Sequence, residues 1–135
     1  MANSFKNFLC YTLPLILYCG MIFYSSSVQS PLPKSESIPY LDKVVHALAY
    51  APLGILFFRV FRFFRSEDRI RLSIILSILA ASLYGASDEI HQYFVPSRVC
   101  DIADWISDSV GGAIGTLIYY RLIPSLTKYR LFYRR

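Results

Sequence analysis

The sequence predicts an all-α integral membrane protein, built as a four-helix bundle in a single domain, and three observations support this prediction. Hydrophobic residues make up 55% of the 135 residues and charged residues only 17%, whereas soluble domains carry about 25% charged residues. Four long apolar runs are separated by short polar or basic segments. The basic residues, which give a net charge of +5, gather at the ends of these runs and form no stripe. This placement argues against a nucleic-acid-binding protein.

The apolar runs define four predicted spans, at about 8–24, 44–64, 72–87 and 102–123. The first run could instead be a cleaved signal peptide, but no Ala-x-Ala site follows it, so we expect a retained helix. Pro52 and Gly54 predict a kink in the second span, since both residues are tolerated in membrane helices. The segment from Pro124 to Arg135 is basic and aromatic and is predicted to be a short amphipathic tail at the surface.

The distribution of charge predicts the orientation of the chain. Eleven of the fourteen Lys and Arg residues lie in the N-terminal segment, the 59–71 hinge and the C-terminal tail. Segments rich in Lys and Arg stay in the cytoplasm, so we expect both termini there. Seven of the nine acidic residues lie in or beside the 25–43 and 88–101 segments. The sequence therefore predicts that the polar side chains gather on the extracytoplasmic side.

The first polar stretch begins the second span. Asp42, His46 and Tyr50 are spaced by four residues and share one face of a helix. Asp42 is also suited to cap the helix N-terminus, and Lys43 can extend to the lipid headgroups. On this interpretation His46 is only a polar residue at the membrane interface. The stretch is therefore either part of a site or an ordinary helix start.

The second polar stretch follows the third span. Asp88, His91 and Gln92 share one face if the third helix continues outward, with Glu89 beside them. Pro96 would end that helix. The alternative is a solvated turn, but two carboxylates, an imidazole and an amide are dense polarity for a simple loop.

The third polar stretch enters the fourth span with Asp101, Asp104 and Asp108. The first two can place negative charge at a helix start. Asp108 lies deeper, where an ionised carboxylate costs at least about 2.5 kcal/mol and needs a partner. The candidate partners are Lys43, Arg98, His46 and His91. Three glycines follow, Gly111, Gly112 and Gly115, and they include a Gly-x-x-x-Gly spacing. This spacing allows another helix to approach closely, either within the chain or in a homo-oligomer.

Together these residues resemble the VanZ-like family. The resemblance covers most of the chain and is carried by Ser25-Ser26, Asp42-Lys43, His46, Asp88-Glu89-Ile90-His91-Gln92, Arg98, Asp104, Asp108, Gly111 and Gly115. The chain departs from the family pattern at Asp108, where Asn is frequent, and at Asp101, where a small or hydroxyl residue is usual. The resemblance implies a multi-pass protein of the bacterial cytoplasmic membrane and cell envelope. It also implies a link to resistance to the glycopeptide teicoplanin, but no defined reaction.

The first functional hypothesis is a hydrolase or transferase that acts on an extracytoplasmic lipid-linked or envelope substrate. The candidate catalytic residues, which supply acid and base groups, are Asp88, Glu89, His91, His46 and Asp104. The candidate substrate-binding residues are Asp42, Lys43, Tyr50, Gln92, Arg98 and Asp108. The acidic residues exceed the basic residues available to neutralise them, which favours this hypothesis. Carboxylate and imidazole groups also suit a divalent cation, but no ligand triad of diagnostic spacing appears, so no residue is assigned to a metal.

Two alternatives stay open. In the first, the protein is non-catalytic and binds membrane lipid, a lipid-linked precursor or a glycopeptide, while Arg98 and Lys43 neutralise the acids in a structural network. In the second, Asp108 and the histidines form a proton relay in a channel or transporter. Four spans with no visible inverted repeat make this second alternative dependent on oligomerisation.

Overall fold

The computed structural model describes residues 2–28, 40–64, 69–96 and 98–132, and side chains within 5–28, 40–64, 69–96 and 98–122. The chain forms the helices α1 (Ala2–Asn7), α2 (Leu13–Ser27), α3 (Leu41–Phe63), α4 (Ile70–Tyr93) and α5 (Ile102–Phe132). A π-helical turn, Phe8–Thr12, joins α1 and α2 into one continuous helix. Because no strand occurs in these described ranges, the predicted all-α class with four long helices is confirmed.

Among the described residues, three helices are long and apolar enough to cross a membrane: Phe5–Ser27, Leu41–Phe63 and Ile70–Tyr93. They overlap the first three predicted spans. The third helix continues past its apolar run to Tyr93, so Asp88, His91 and Gln92 lie on it. Helix α5 is not among them, and it carries two aspartates in its first two turns. The helix continues past the predicted span 102–123, through Pro124 to Phe132, and the membrane boundary of that span stays a prediction. A proline removes only one backbone hydrogen bond, and the turns on either side keep theirs.

Burial in this fold differs from burial in a soluble protein, because small polar residues share the core with apolar ones while many large apolar residues are exposed. Ser73, Ser77 and Thr116 are fully buried, whereas Leu48 and Leu83 are 68% and 70% exposed. Water would favour the opposite distribution. Lipid tails are as apolar as leucine, so helices in a membrane associate through small and polar residues. The packing therefore supports the membrane assignment independently of helix length.

The most extensive contact in the bundle joins α3 and α5. A Cβ atom built on the glycines of α5 would overlap atoms of α3 or α4: Ala47 for Gly111, Ala81 for Gly112 and Ala51 for Gly115. The overlaps with Ala47 and Ala51 involve backbone carbonyls, which cannot move aside like a flexible side chain. The helix that approaches these glycines thus belongs to the same chain, and homo-oligomerisation through them stays a prediction.

The N-terminal helix contacts α3 near the C-terminal end of α3. Pro14 has no N–H to donate to the carbonyl of Cys10, four residues earlier. The Arg59 guanidinium donates a hydrogen bond to that carbonyl at 3.1 Å. Tyr11 stacks on Phe63 with ring centroids 4.2 Å apart. Freed backbone groups in membrane helices need such partners, so the proline and its π-helical turn create an attachment point.

We expect Gly115→Ala to destabilise the protein and Gly20→Ala to leave it unchanged or slightly more stable. Replacing glycine by alanine within a helix normally gains about 0.5–1 kcal/mol, and nothing lies within 4 Å of a Cβ at Gly20. At Gly115 the added methyl meets the Ala51 carbonyl, and overpacking costs about 1–3 kcal/mol. Thermal unfolding in detergent measures both variants, and equal stabilities would contradict the close packing of α3 on α5.

Candidate functional site

Four helices bring their polar residues together at one end of the bundle. Ser26 at the end of α2 donates to Asp88 near the end of α4 at 2.6 Å. His46 near the start of α3 lies 2.9 Å from Asp108 on α5. The three polar stretches that the sequence separates are therefore one assembly. We call its members the polar cluster: His46, Asp88, Glu89, Gln92, Asp104 and Asp108.

The deepest member of the polar cluster is Asp108, which is fully buried. Its Oδ1 accepts a hydrogen bond from His46 Nδ1 at 2.9 Å. Its Oδ2 has no hydrogen-bond partner among the described residues, and neither has the hydroxyl of Tyr50, which is 2% exposed. Both side chains pack over Gly85: a Cβ there would lie 3.2 Å from Asp108 Oδ2 and 3.4 Å from the Tyr50 ring. The glycine thus leaves room for two buried polar groups.

Two further carboxylates of the cluster are buried on α4. Asp88 accepts hydrogen bonds from Ser26 and, at 3.0 Å, from the Gln92 amide. Glu89 accepts a hydrogen bond from the backbone N–H of Asp101 at 2.8 Å and a longer one from Gln92 at 3.3 Å. Neutral donors therefore surround both carboxylates, and no Lys or Arg in the described ranges contacts them.

Lys43 holds the edge of the cluster. Its ammonium group lies 2.6 Å from Asp104, 2.7 Å from Asp101 and 3.2 Å from Asp42. The predicted capping role of Asp42 is wrong, because the helix begins at Leu41. The N-cap is Tyr40, which has a left-handed conformation with φ 66°. Asp42 instead lies in the first turn, with its side chain 63% exposed.

Arg98 does not neutralise the acids. It donates to the backbone carbonyls of Val28, at 3.1 and 3.3 Å, and of Ser25, at 3.0 Å. These carbonyls lie at and just after the C-terminus of α2, where backbone oxygens lack partners within the helix. The pairing of Arg98 with the acids, which belongs to the non-catalytic alternative, does not occur among the described residues, and the guanidinium binds the C-terminal end of α2 instead.

His91 lies beside the polar cluster and contacts α2. Its Nε2 is 2.9 Å from Ser27 Oγ, and its ring centroid is 4.4 Å from that of Phe23. These contacts pack α4 against the end of α2. The predicted catalytic role of His91 stays a prediction.

A cavity of about 220 Å³ lies between α2, α3 and α4, next to the polar cluster. Of the eleven residues that the sequence predicts for a site, five line it: His46, Tyr50, Asp88, Gln92 and Arg98. The others lie around the cavity without lining it: Asp42, Lys43, Glu89, His91, Asp104 and Asp108. The sequence analysis missed the wall that α2 contributes, and in particular the apolar residues Tyr18, Met21 and Ile22. Along a single helix they are indistinguishable from lipid-facing residues.

A second grouping that sequence analysis missed is a set of three metal-ligand side chains. Ligand atoms of His46, Glu89 and Asp108 all lie within 4.8 Å of one another. Each comes from a different helix, so no spacing along the sequence could indicate the set. Imidazole and carboxylate groups in this combination can hold a divalent cation.

A bundle with three membrane-capable helices and ionisable residues buried at one end defines an all-helical protein of membrane type with an internal polar site. The chain belongs to the VanZ/LLP1 family, whose model matches residues 8–124. This confirms the resemblance seen in the sequence. Comparison with curated proteins gave no match, and neither did comparison with solved structures.

We expect Asp104→Asn to destabilise the protein by about 1–3 kcal/mol, the range for charge-assisted hydrogen bonds. The Asp104 side chain is only 13% exposed and lies 2.6 Å from Lys43. Asp42→Asn is the matched control, because an exposed ion pair contributes less than about 1 kcal/mol. Denaturant unfolding in detergent compares the two. A larger loss of unfolding free energy in Asp42→Asn than in Asp104→Asn would contradict the assignment of Asp104 as the stronger partner of Lys43.

Proposed function

We propose that this protein is a hydrolase or transferase that acts on a lipid-linked envelope substrate from the extracytoplasmic side of the bacterial cytoplasmic membrane. One observation carries the proposal: the cavity has an apolar wall and a polar wall. Met21, Ile22 and Val45 contribute apolar side chains, while His46 and Asp88 contribute ionisable ones. An amphiphile with an acyl or polyprenyl chain and a polar headgroup matches such a surface.

Arg98 is suited to bind an anionic headgroup. It lines the cavity, and its contacts with the carbonyls of α2 use Nε and Nη2. The Nη1 donors make no hydrogen bond to the described residues. Arginine recognises phosphate and carboxylate through paired N–H donors. We therefore assign the headgroup end of the substrate to the Arg98 side of the cavity.

His46 is suited to act as the general base. It lines the cavity, and Asp108 orients its imidazole through Nδ1. A base held by a buried carboxylate can take the proton of an attacking water or hydroxyl group. Asp88, which also lines the cavity and is held by Ser26 and Gln92, is the candidate proton donor to the leaving group. In this assignment Glu89 and Asp104, which do not line the cavity, are positioning residues for the reacting groups.

In proteoliposomes supplied with lipid-linked envelope precursors, we expect His46→Gln and Asp88→Asn to lower turnover by about 10²–10⁴-fold, the usual contribution of general acid–base groups. Ser107→Ala is the control, since Ser107 is next to Asp108 but its hydroxyl bonds only the Ala103 carbonyl. Mass spectrometry of the lipid products measures turnover. Equal turnover in the wild type and His46→Gln would contradict the catalytic proposal.

The non-catalytic alternative also has an observation in its favour. Lys43 and its three acids form an ion-pair network that needs no substrate. In that case the cavity binds a lipid or glycopeptide, and the protein changes teicoplanin susceptibility without turnover. If His46→Gln retains precursor binding and full protection of cells against teicoplanin, the binding function is favoured over the enzyme.

The proposed orientation can be tested with the native cysteines, which are all free. Cys100 is exposed near the polar cluster. In a Cys10→Ser, Cys19→Ser background we expect Cys100 to react with a membrane-impermeant maleimide in intact spheroplasts, because the positive-inside rule places the opposite end in the cytoplasm. Phe64→Cys, made in a variant without native cysteines, is the control for that opposite end and should react only after lysis. The reverse pattern would invert the topology.

A further inference from the structure

We propose that His46, Glu89 and Asp108 form a binding site for a divalent first-row cation, with zinc as the first ion to test. One ligand comes from each of α3, α4 and α5. The site would tie together the three helices that build most of the bundle. Metal binding does not depend on the proposed enzyme. The two roles of His46, as a metal ligand here and as the general base above, are alternatives that separate measurements test.

The charge balance of the polar cluster favours a cation. Asp88, Glu89 and Asp108 are each at most 5% exposed. The two basic residues nearby are engaged elsewhere: Lys43 with the acids at the edge, and Arg98 with backbone carbonyls. Buried charges in proteins are paired or coordinate metals. A divalent cation would supply the positive charge that no described side chain except His46 provides.

The distances suit a single ion after the three ligands close around it. Zinc binds histidine nitrogen and carboxylate oxygen at about 2.0–2.2 Å, usually in a tetrahedral arrangement, so two ligands of one zinc ion are about 3.4 Å apart. His46 Nδ1 and Asp108 Oδ1, at 2.9 Å, are already within that separation. The whole set lies within 4.8 Å, so the widest pair needs to close by about 1.4 Å at most.

Two buried polar atoms point to a missing ligand in addition to the charge balance. Asp108 Oδ2 and the Tyr50 hydroxyl have no partner among the described residues, and both side chains pack over Gly85. An unsatisfied buried polar group costs about 1–3 kcal/mol, so native proteins rarely leave such groups unpaired. An ion with a bound water would give Asp108 a second metal contact through Oδ2 and give the hydroxyl a water partner.

The surroundings of His46 also match those of a metal ligand. Its second ring nitrogen, Nε2, lies 3.8 Å from Asp104, which Lys43 holds in place. Metal-binding histidines usually turn the second N–H toward a carboxylate, which fixes the ring and strengthens the ligand. On this assignment Nδ1 binds the ion, and Nε2 faces the Asp104 carboxylate from beyond direct hydrogen-bond distance.

The ligand set favours zinc over magnesium or calcium. Imidazole suits zinc and its neighbours, whereas the hard cations prefer oxygen ligands alone. Three protein ligands with one open position are typical of catalytic zinc sites, in contrast to the four ligands of structural sites. An ion here would also lie next to the cavity that His46 lines, where its open position is accessible to a small ligand.

The test uses full-length protein purified in detergent without a metal-affinity tag, stripped with EDTA and supplied with zinc, manganese or magnesium chloride. We expect one zinc per chain by mass spectrometry of the metal content, together with a rise in the thermal unfolding temperature that EDTA reverses. His46→Gln and Glu89→Gln should weaken zinc binding by at least about tenfold, the smallest effect reported even for outer-shell partners. Ser107→Ala, which changes the residue next to Asp108 whose hydroxyl donates to the Ala103 carbonyl instead, should bind zinc like the wild type.

X-ray absorption of the zinc-loaded wild type keeps the proposal falsifiable if a ligand variant fails to fold. Nitrogen and oxygen ligands support the site, whereas zinc–sulfur scattering would assign the ion to the free cysteines. Less than one zinc per chain with no thermal shift for any of the three ions would overturn the proposal. An equal loss of zinc in Ser107→Ala would also overturn it. None of these measurements involves lipid turnover, so failure of the metal site and failure of the proposed enzyme are distinguishable.

Discussion

The close approach of α3 and α5 is the constraint on which the site depends. Gly111 lets the backbone of α5 contact the carbonyl of Ala47. His46 is the residue before Ala47, and Asp108 lies one turn before Gly111 on the same helix. With the two backbones in contact at that level, the imidazole and the carboxylate have no room to pass each other and must meet. The glycine contact therefore sets both the packing of the bundle and the deepest interaction of the polar cluster.

Helix α4 completes the site through a line of small residues on its buried face. Its buried face carries Ser73, Ser77, Ala81 and Gly85 at four-residue intervals, and Glu89 continues the same line. Small side chains let neighbouring helices approach closely and let the serine hydroxyls bond to backbone carbonyls. The stripe thus leads from the small-residue part of the helix directly to the buried carboxylate. It brings Glu89 toward α3 and α5 without any ion pair.

Sequence patterns predict what lies along one helix but not what pairs between helices. The apolar runs located three membrane-capable helices, and the four-residue spacing correctly placed Asp42, His46 and Tyr50 on one side of α3. The pairing of Ser26 with Asp88, 62 residues apart, leaves no trace in the sequence. The contacts of Arg98 could not be predicted for a related reason. Its partners are backbone carbonyls, and every residue has a carbonyl, so no side-chain pattern marks them. The excess of acidic residues was readable, but the sequence does not show which of them are buried together.

The polar cluster divides into an edge and a floor with different physical character. At the edge, Lys43 meets Asp101 and Asp104 in direct ion pairs, partly exposed, which is sufficient to explain why those acids are present. At the floor, Glu89 and Asp108 are almost fully buried and have no Lys or Arg in contact among the described residues. Burying carboxylates without a cation is costly, and packing alone would be served better by apolar residues of similar size. Ion pairing with Lys43 explains the acids at the edge. The buried acids of the floor, Glu89 and Asp108, are explained by a function: binding an ion, transferring a proton or binding a ligand.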